Sequence, residues 1–123
     1  MIYLIRHTTP LVAKGICYGQ TDLDVTETFD QEVASIRLHL PENIETVYTS
    51  PLKRCKKLAE ALFPKHAIQV HRGLMELNCG NWEMQEWNAI PKTEMQPWLD
   101  DFVNVIVPQG ESYGQMHKRV VNL

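Results

Sequence analysis

The sequence predicts an α/β protein with a mostly parallel central sheet flanked by helices. Three observations predict it. Short apolar or β-branched runs alternate along the chain with stretches of helical period. The first run, "IYLI" at residues 2–5, is apolar at every position, as in a strand buried on both faces. The connections between successive runs are long enough for crossovers, and crossovers give parallel strands.

The elements follow in order. Residues 2–5 form the expected first strand, which ends on Arg6-His7 and a Thr-Thr-Pro turn. Residues 26–40 place Phe29, Val33, Ile36 and Leu40 on one helical face, and Pro41 stops the helix. "ETVYT" at 45–49 is the second strand. "SPLKRCKKLAEALF" at 50–63 is a helix with Ser50 suited to the N-cap and Pro51 to the first turn. Its buried side is Leu52, Cys55, Ala59 and Leu62. "AIQVH" at 67–71 alternates as a third strand. Residues 72–87 have no single period and read as a loop leading into a helix. Residues 107–123 give a Pro/Gly entry to a last helix, with Glu111 and Ser112 near its start. No repeat or linker interrupts the 123 residues, which read as one domain, 1–123.

Composition narrows the function classes. Hydrophobic content of 44% and charged content of 22% are ordinary for a globular protein. A net charge of −3 argues against a nucleic-acid partner, so any anion must be met by cations gathered locally. Cys17, Cys55 and Cys79 show no zinc-like spacing and read as free thiols in a reducing compartment. The opening apolar run is too short for a signal peptide, and no stretch approaches the roughly 18 apolar residues of a membrane span. A cytoplasmic protein with no membrane partner is expected.

The chemistry is expected outside the carboxyl ends of the strands, where open parallel sheets bind ligands. A lone histidine at a strand end is usually structural. Here a guanidinium that cannot lose its charge, Arg6, stands beside His7, and that pair suits gripping and attacking a phosphoryl group. Thr8 and Thr9 add hydroxyl donors. "TSPLKRC" offers the N–H groups and dipole of a helix start. Arg54 falls off the Leu52-Cys55-Ala59 face and can reach over that terminus, whereas Lys53, Lys56 and Lys57 read as a solvated face. Glu76 follows the third strand and its exit loop, where a carboxyl near two arginines can give and retrieve a proton. Glu83, beside Trp82, competes with it but is assigned to orienting the loop. Trp82, Trp87 and Trp98 read chiefly as core.

Taken in order, "LIRHT", "CYGQTDLDVTE", "YTSPLKRCKKLAEAL", "MELNCGNWE" and "PQGES" resemble the histidine phosphatase superfamily, the phosphoglycerate-mutase-like enzymes, over residues 1 to about 120. "RHTTP" and "GICYGQTDLDV" are most similar to its α-ribazole phosphatase branch, which acts in assembling the nucleotide loop of cobalamin. The resemblance implies a three-layer α/β/α sandwich. It implies a nucleophile at His7, phosphate-clamping arginines at Arg6 and Arg54, and a proton donor at Glu76. The substrate is then a small-molecule phosphomonoester, hydrolysed through a phosphohistidine without a metal or cofactor. Two other readings stay open: a mutase that passes the phosphoryl group between hydroxyls, and a non-catalytic phospho-ligand binder.

The sequence departs from the family pattern in three places. Thr8 and Gln109 stand where glycine is common. The family's second catalytic histidine, in a His-Gly motif after a further strand, has no match. His39, His66, His71 and His117 do not precede glycine, and His117 reads as a surface residue of the last helix. The resemblance therefore implies a fold that is C-terminally incomplete over these residues. Unpaired apolar edges, self-association and weak or absent activity of the 123 residues alone are the expected consequences.

Overall fold

The structure, a computed structural model, describes residues 1–123. It divides into two compact units, Met1–Leu11 with Asp22–Arg72, and Val12–Thr21 with Gly73–Leu123.

The first unit holds the sheet. β1 (Val47–Thr49) and β2 (Ile68–Val70) pair in parallel with Val47 opposite Ile68, Tyr48 opposite Gln69 and Thr49 opposite Val70. His71 N–H donates to the Thr49 carbonyl at 2.9 Å and carries the ladder one step further. The crossover between the strands is α2 (Lys53–Leu62), and α1 (Phe29–Arg37) precedes β1. The α/β class and the parallel sheet expected from the alternation are both present. Val33, Val47, Leu58, Ala59, Leu62 and Phe63 make the core, with Phe29, Ile36, Leu40, Ile44 and Ile68 packed against it. The face expected for residues 26–40 is the one buried, because helical spacing alone decides which side meets a neighbour. Cys55, expected in that core, is partly exposed.

Two expectations fail in this unit. Residues 2–5 join no ladder, and they are exposed: Ile2 by 87% and Leu4 by 94%. A continuous apolar run encodes burial on two faces, but a strand exists only with a partner, and no segment of these residues supplies one. Tyr3, Leu4, Ile5 and Arg6 instead border an open groove of about 420 Å³, with Ser35, Ile36, His39 and Leu40 on its other side. Ser50 does not cap α2. The N-cap position is Leu52, and the helix start is satisfied from a distance by Asp22, whose Oδ1 accepts from Lys53 N–H at 2.7 Å.

The second unit is built from turns and two helices, α3 (Lys92–Asp100) and α4 (Tyr113–Val121). Three 3₁₀ turns, Arg72–Leu74, Gly80–Trp82 and Trp87–Ala89, fall in or at the ends of residues 72–87, expected to be a loop leading into a helix, and the α-helix begins only at Lys92. Cys17, Leu77, Cys79, Trp82, Ile90 and Val107 form its core, with Met95, Trp98 and Met116 against it. Trp82 is fully buried, and its indole N–H donates to Glu94 at 3.1 Å. α4 starts where the Pro/Gly entry places it. Ser112 accepts from Gln115 N–H at 3.2 Å while the Gln115 side chain accepts from Ser112 N–H at 3.0 Å, a reciprocal capping box. No helix is long and apolar enough to cross a membrane.

Candidate functional site

His7 and its turn belong to the first unit. The ring is partly buried, and Nδ1 lies 2.7 Å from the Thr8 carbonyl oxygen. A carbonyl only accepts, so Nδ1 carries a proton, and in the neutral ring the lone pair is on Nε2. Thr8, where the family carries glycine, takes an ordinary negative φ, so this turn accepts a side chain without strain. Thr9 fixes the far side of the turn. Its N–H and hydroxyl donate to Glu32 Oε1 on α1 at 3.1 and 3.0 Å, and Thr28 Oγ1 donates to Glu32 Oε2 at 2.8 Å. The Thr28 hydroxyl does most to hold the Glu32 carboxyl below its usual range; burial opposes it, and Thr9 and the nearby His7 assist. Arg6 is exposed.

Arg54 is the second residue of α2 and only 1% exposed. It falls off the Leu52-Cys55-Ala59 face expected to be buried, but at i, i+4 and i+8 it shares a face with Leu58 and Leu62 and is buried with them. Thr8, Thr49 and Ser50 are buried polar residues of the same unit. Thr49 Oγ1 donates to the Ser50 carbonyl at 3.0 Å, whereas the Thr8 and Ser50 hydroxyls are buried with no hydrogen-bond partner in the protein. Orphaned hydroxyls are costly. That cost falls if an oxyanion is bound, and the positive end of α2 favours such a charge.

Glu76 lies in the second unit and is exposed. Its Oε1 accepts from Leu77 N–H at 2.8 Å. Its backbone carbonyl accepts from Gln20 Nε2 at 3.1 Å and from Arg119 Nη2 at 3.3 Å. Arg119 also donates through Nη1 to the carbonyls of Gly73 and Met75, both at 2.8 Å, and pairs with Glu111. Glu111 in turn accepts from Asn78 N–H at 2.9 Å. One guanidinium on α4 thus gathers the whole approach to Glu76.

Glu83 holds the neighbouring loop. Its Oε1 accepts from Gly19 N–H (2.8 Å), Thr21 N–H (3.1 Å) and Thr21 Oγ1 (2.7 Å). Its Oε2 accepts from Gln20 N–H (3.1 Å) and Cys79 N–H (2.9 Å). Burial raises its pKa, but the Thr21 hydroxyl and the converging N–H groups outweigh that and hold the carboxyl below its ordinary value. The loop-orienting role read from the sequence is the one its contacts describe.

The two motifs "MELNCGNWE" and "PQGES" dock backbone to backbone. Asn81 N–H donates to the Pro108 carbonyl at 2.8 Å and Glu111 N–H to the Asn78 carbonyl at 3.0 Å. Gly80 has φ +45°, and a Cβ there would lie 2.2 Å from the Pro108 oxygen, so only glycine fits. Gln109 has φ +59°, a left-handed conformation that explains glycine as the usual residue there.

Arg6, His7 and Arg54 therefore share the first unit, and Glu76 stands in the second. Sequence reasoning missed Glu32, Asp22 and Arg119. Each acts on a partner 23 to 46 residues away, and no local pattern marks such a contact.

The model of the histidine phosphatase superfamily (branch 1) matches residues 2–123. No curated protein matches the chain. Among solved structures, the α-ribazole phosphatase of Shigella flexneri superposes with a TM-score of 0.86 at 20% identity, over 96% of this chain and 62% of its own. The protein TTHB049 of Thermus thermophilus gives 0.78 at 25% identity, over 96% and 67%. A phosphoglycerate mutase of the same organism gives 0.76 at 24%, over 95% and 66%. The chain thus spans about two thirds of the length of these structures. By its family match the chain belongs to the histidine phosphatase superfamily, branch 1.

Proposed function

We propose that this chain carries the phosphate-handling half of a metal-independent phosphomonoester hydrolase that works through a phosphohistidine. The observation that carries the reading is the His7 imidazole: tied through Nδ1–H to the Thr8 carbonyl, it keeps Nε2 as a nucleophilic lone pair. Arg6, adjacent in the chain, and buried Arg54 at the positive end of α2 supply the charge for a phosphoryl dianion. The orphaned Thr8 and Ser50 hydroxyls supply further donors.

The reaction then has two steps. Nε2 of His7 attacks phosphorus in line, and the Glu76 carboxylic acid protonates the departing alkoxide. The Glu76 carboxylate next takes a proton from water, which displaces the phosphoryl group from His7 and restores the imidazole. The guanidinium groups hold the charge that spreads over the equatorial oxygens. α-Ribazole-5'-phosphate is the proposed substrate. The "RHTTP" and "GICYGQTDLDV" motifs and the likeness to the Shigella flexneri enzyme support it. The likeness to a phosphoglycerate mutase favours a second reading, transfer to an acceptor hydroxyl instead of water.

Incubation with a radiolabelled phosphomonoester tests the reading. An acid-labile, base-stable phosphoryl group on His7, absent from His7→Ala, is expected. No label and no phosphate release above the His7→Ala background sinks it. Adding an acceptor alcohol separates hydrolysis from transfer.

A further inference from the structure

The second unit buries two thiols against each other. Cys17 is fully enclosed and Cys79 nearly so, both are free, and both belong to the core around Trp82. Their side chains hydrogen-bond to one another. The Cys79 sulfur also lies against Gly19, two residues beyond Cys17: a Cβ on Gly19 would stand 3.0 Å from it. The two backbones are held in place independently. Cys17 exchanges hydrogen bonds with Gln85 and Met84 (2.8 and 2.7 Å), and Cys79 donates to Glu83 Oε2 (2.9 Å) and accepts from Trp82 N–H (2.8 Å).

We propose that Cys17 and Cys79 are a dithiol–disulfide pair, a redox modification site that joins the Val12–Thr21 segment covalently to the loop carrying Glu76 and Glu83. The pair is 62 residues apart in sequence (79 − 17 = 62), so no short spacing reveals it. With a peroxide as oxidant the step balances. The Cys17 thiolate attacks one peroxide oxygen, and the O–O bond breaks to give a sulfenic acid and, after protonation, one water. The Cys79 sulfur then attacks the Cys17 sulfur, the S–O bond breaks, and the departing hydroxide takes the Cys79 proton as a second water. Two thiols lose two electrons, and the peroxide gains them.

The order of attack follows from the hydrogen bond. The Cys79 S–H group donates to Cys17, which lowers the Cys17 pKa against burial and the nearby Glu83 carboxylate; the same bond, with burial, pushes Cys79 up. Burial makes the reaction slow. Met95 and Trp98 of α3 and Met116 of α4 pack against the core that holds the sulfurs, so reagent enters by local opening.

The test uses the whole chain treated with hydrogen peroxide and analysed intact and after non-reducing digestion. A mass loss of about 2 Da, a Cys17–Cys79 cross-linked peptide, and recovery of the starting mass with dithiothreitol are expected. Cys55→Ser keeps the cross-link, and Cys79→Ser stops at an oxygen adduct on Cys17. Oxygen adducts on the wild type without a cross-link, a link through Cys55 only, or no change at all would each overturn the proposal. The readout is chemical, so it stands or fails separately from phosphatase activity.

Discussion

Glu83→Gln probes the loop clamp through a single atom. In the native chain five donors converge on two carboxylate oxygens, three on Oε1 and two on Oε2. The amide keeps one oxygen, which can serve the Gly19 and Thr21 donors, but its NH₂ then faces the N–H groups of Gln20 and Cys79. Two charge-assisted bonds are lost, at roughly 1.5 kcal/mol or more each, and the other three lose their charge. The side chain is only partly buried, so water recovers part of this. The expected net cost is about 2–3 kcal/mol, equivalent to a fall of roughly 6–12 °C in Tm for a chain of this size. Urea unfolding at two pH values is the assay. The folded-state pKa of Glu83 lies below the ordinary 4.5, so its contribution is complete above about 4.5 and is lost as pH falls through the lower folded value. The gap between wild type and variant therefore narrows from pH 6 to pH 3. A variant within about 0.5 kcal/mol of wild type at pH 6 refutes the clamp, as does a gap unchanged at pH 3.

Other substitutions test separate parts of the structure. Gln109→Gly relieves the φ of +59° and is expected to stabilise by about 0.5–1 kcal/mol, read as a Tm rise of a few degrees; a fall in Tm contradicts the strain. Gly80→Ala drives a Cβ into the Pro108 oxygen and is expected to cost at least about 2 kcal/mol in denaturant unfolding. Arg119→Leu removes the donor to three carbonyls and leaves Glu111 without its cation, an expected loss of about 2–3 kcal/mol, with faster amide exchange at residues 74–78 as the local signature. Inorganic phosphate is expected to raise the Tm of wild type and not of Arg54→Met; equal shifts in both proteins remove Arg54 from oxyanion binding.

How much of this was legible depends on whether a feature is encoded locally. β1, β2 and α4 stand near where alternation and the Pro/Gly entry place them. α1 buries the expected face but spans only Phe29–Arg37, ending ahead of Leu40 and Pro41, because hydrophobic spacing fixes a face more firmly than it fixes an end. Residues 2–5 failed for a different reason. Their apolar character is real, but strand formation is a property of a pair, and pairing is invisible in one segment. The cap of α2 failed likewise: Ser50 has the right chemistry but stands ahead of the Leu52 cap position, and the acceptor for Lys53 N–H comes from Asp22, 31 residues away. Arg54 was legible as a candidate by residue type and helix position, but its depth was missed. Its spacing to Leu58 and Leu62, i+4 and i+8, carries the burial, whereas the face drawn through Leu52, Cys55 and Ala59 passes beside it.

The same distinction separates the chemical groups from their supports. Candidates for a nucleophile, a clamp and an acid are singled out by side-chain chemistry, which is how His7, Arg6, Arg54 and Glu76 come to be proposed for those roles. The residues that aim them are ordinary until the backbone is in place. In α4 the sequence draws the eye to His117, which is exposed, yet Arg119 two residues on binds Gly73, Met75, Glu76 and Glu111. Glu32 does for the His7 turn what Arg119 does for Glu76, through Thr9. Both anchors bind mostly main-chain groups and neighbouring side chains instead of the proposed reacting ones, so substituting either is expected to loosen the geometry while leaving every proposed catalytic group in the chain. A site built this way fails gradually when its supports are changed and abruptly when His7 is. That contrast, measured as partial against complete loss of the phosphoryl label, distinguishes a positioned catalytic histidine from one that is merely buried in a turn.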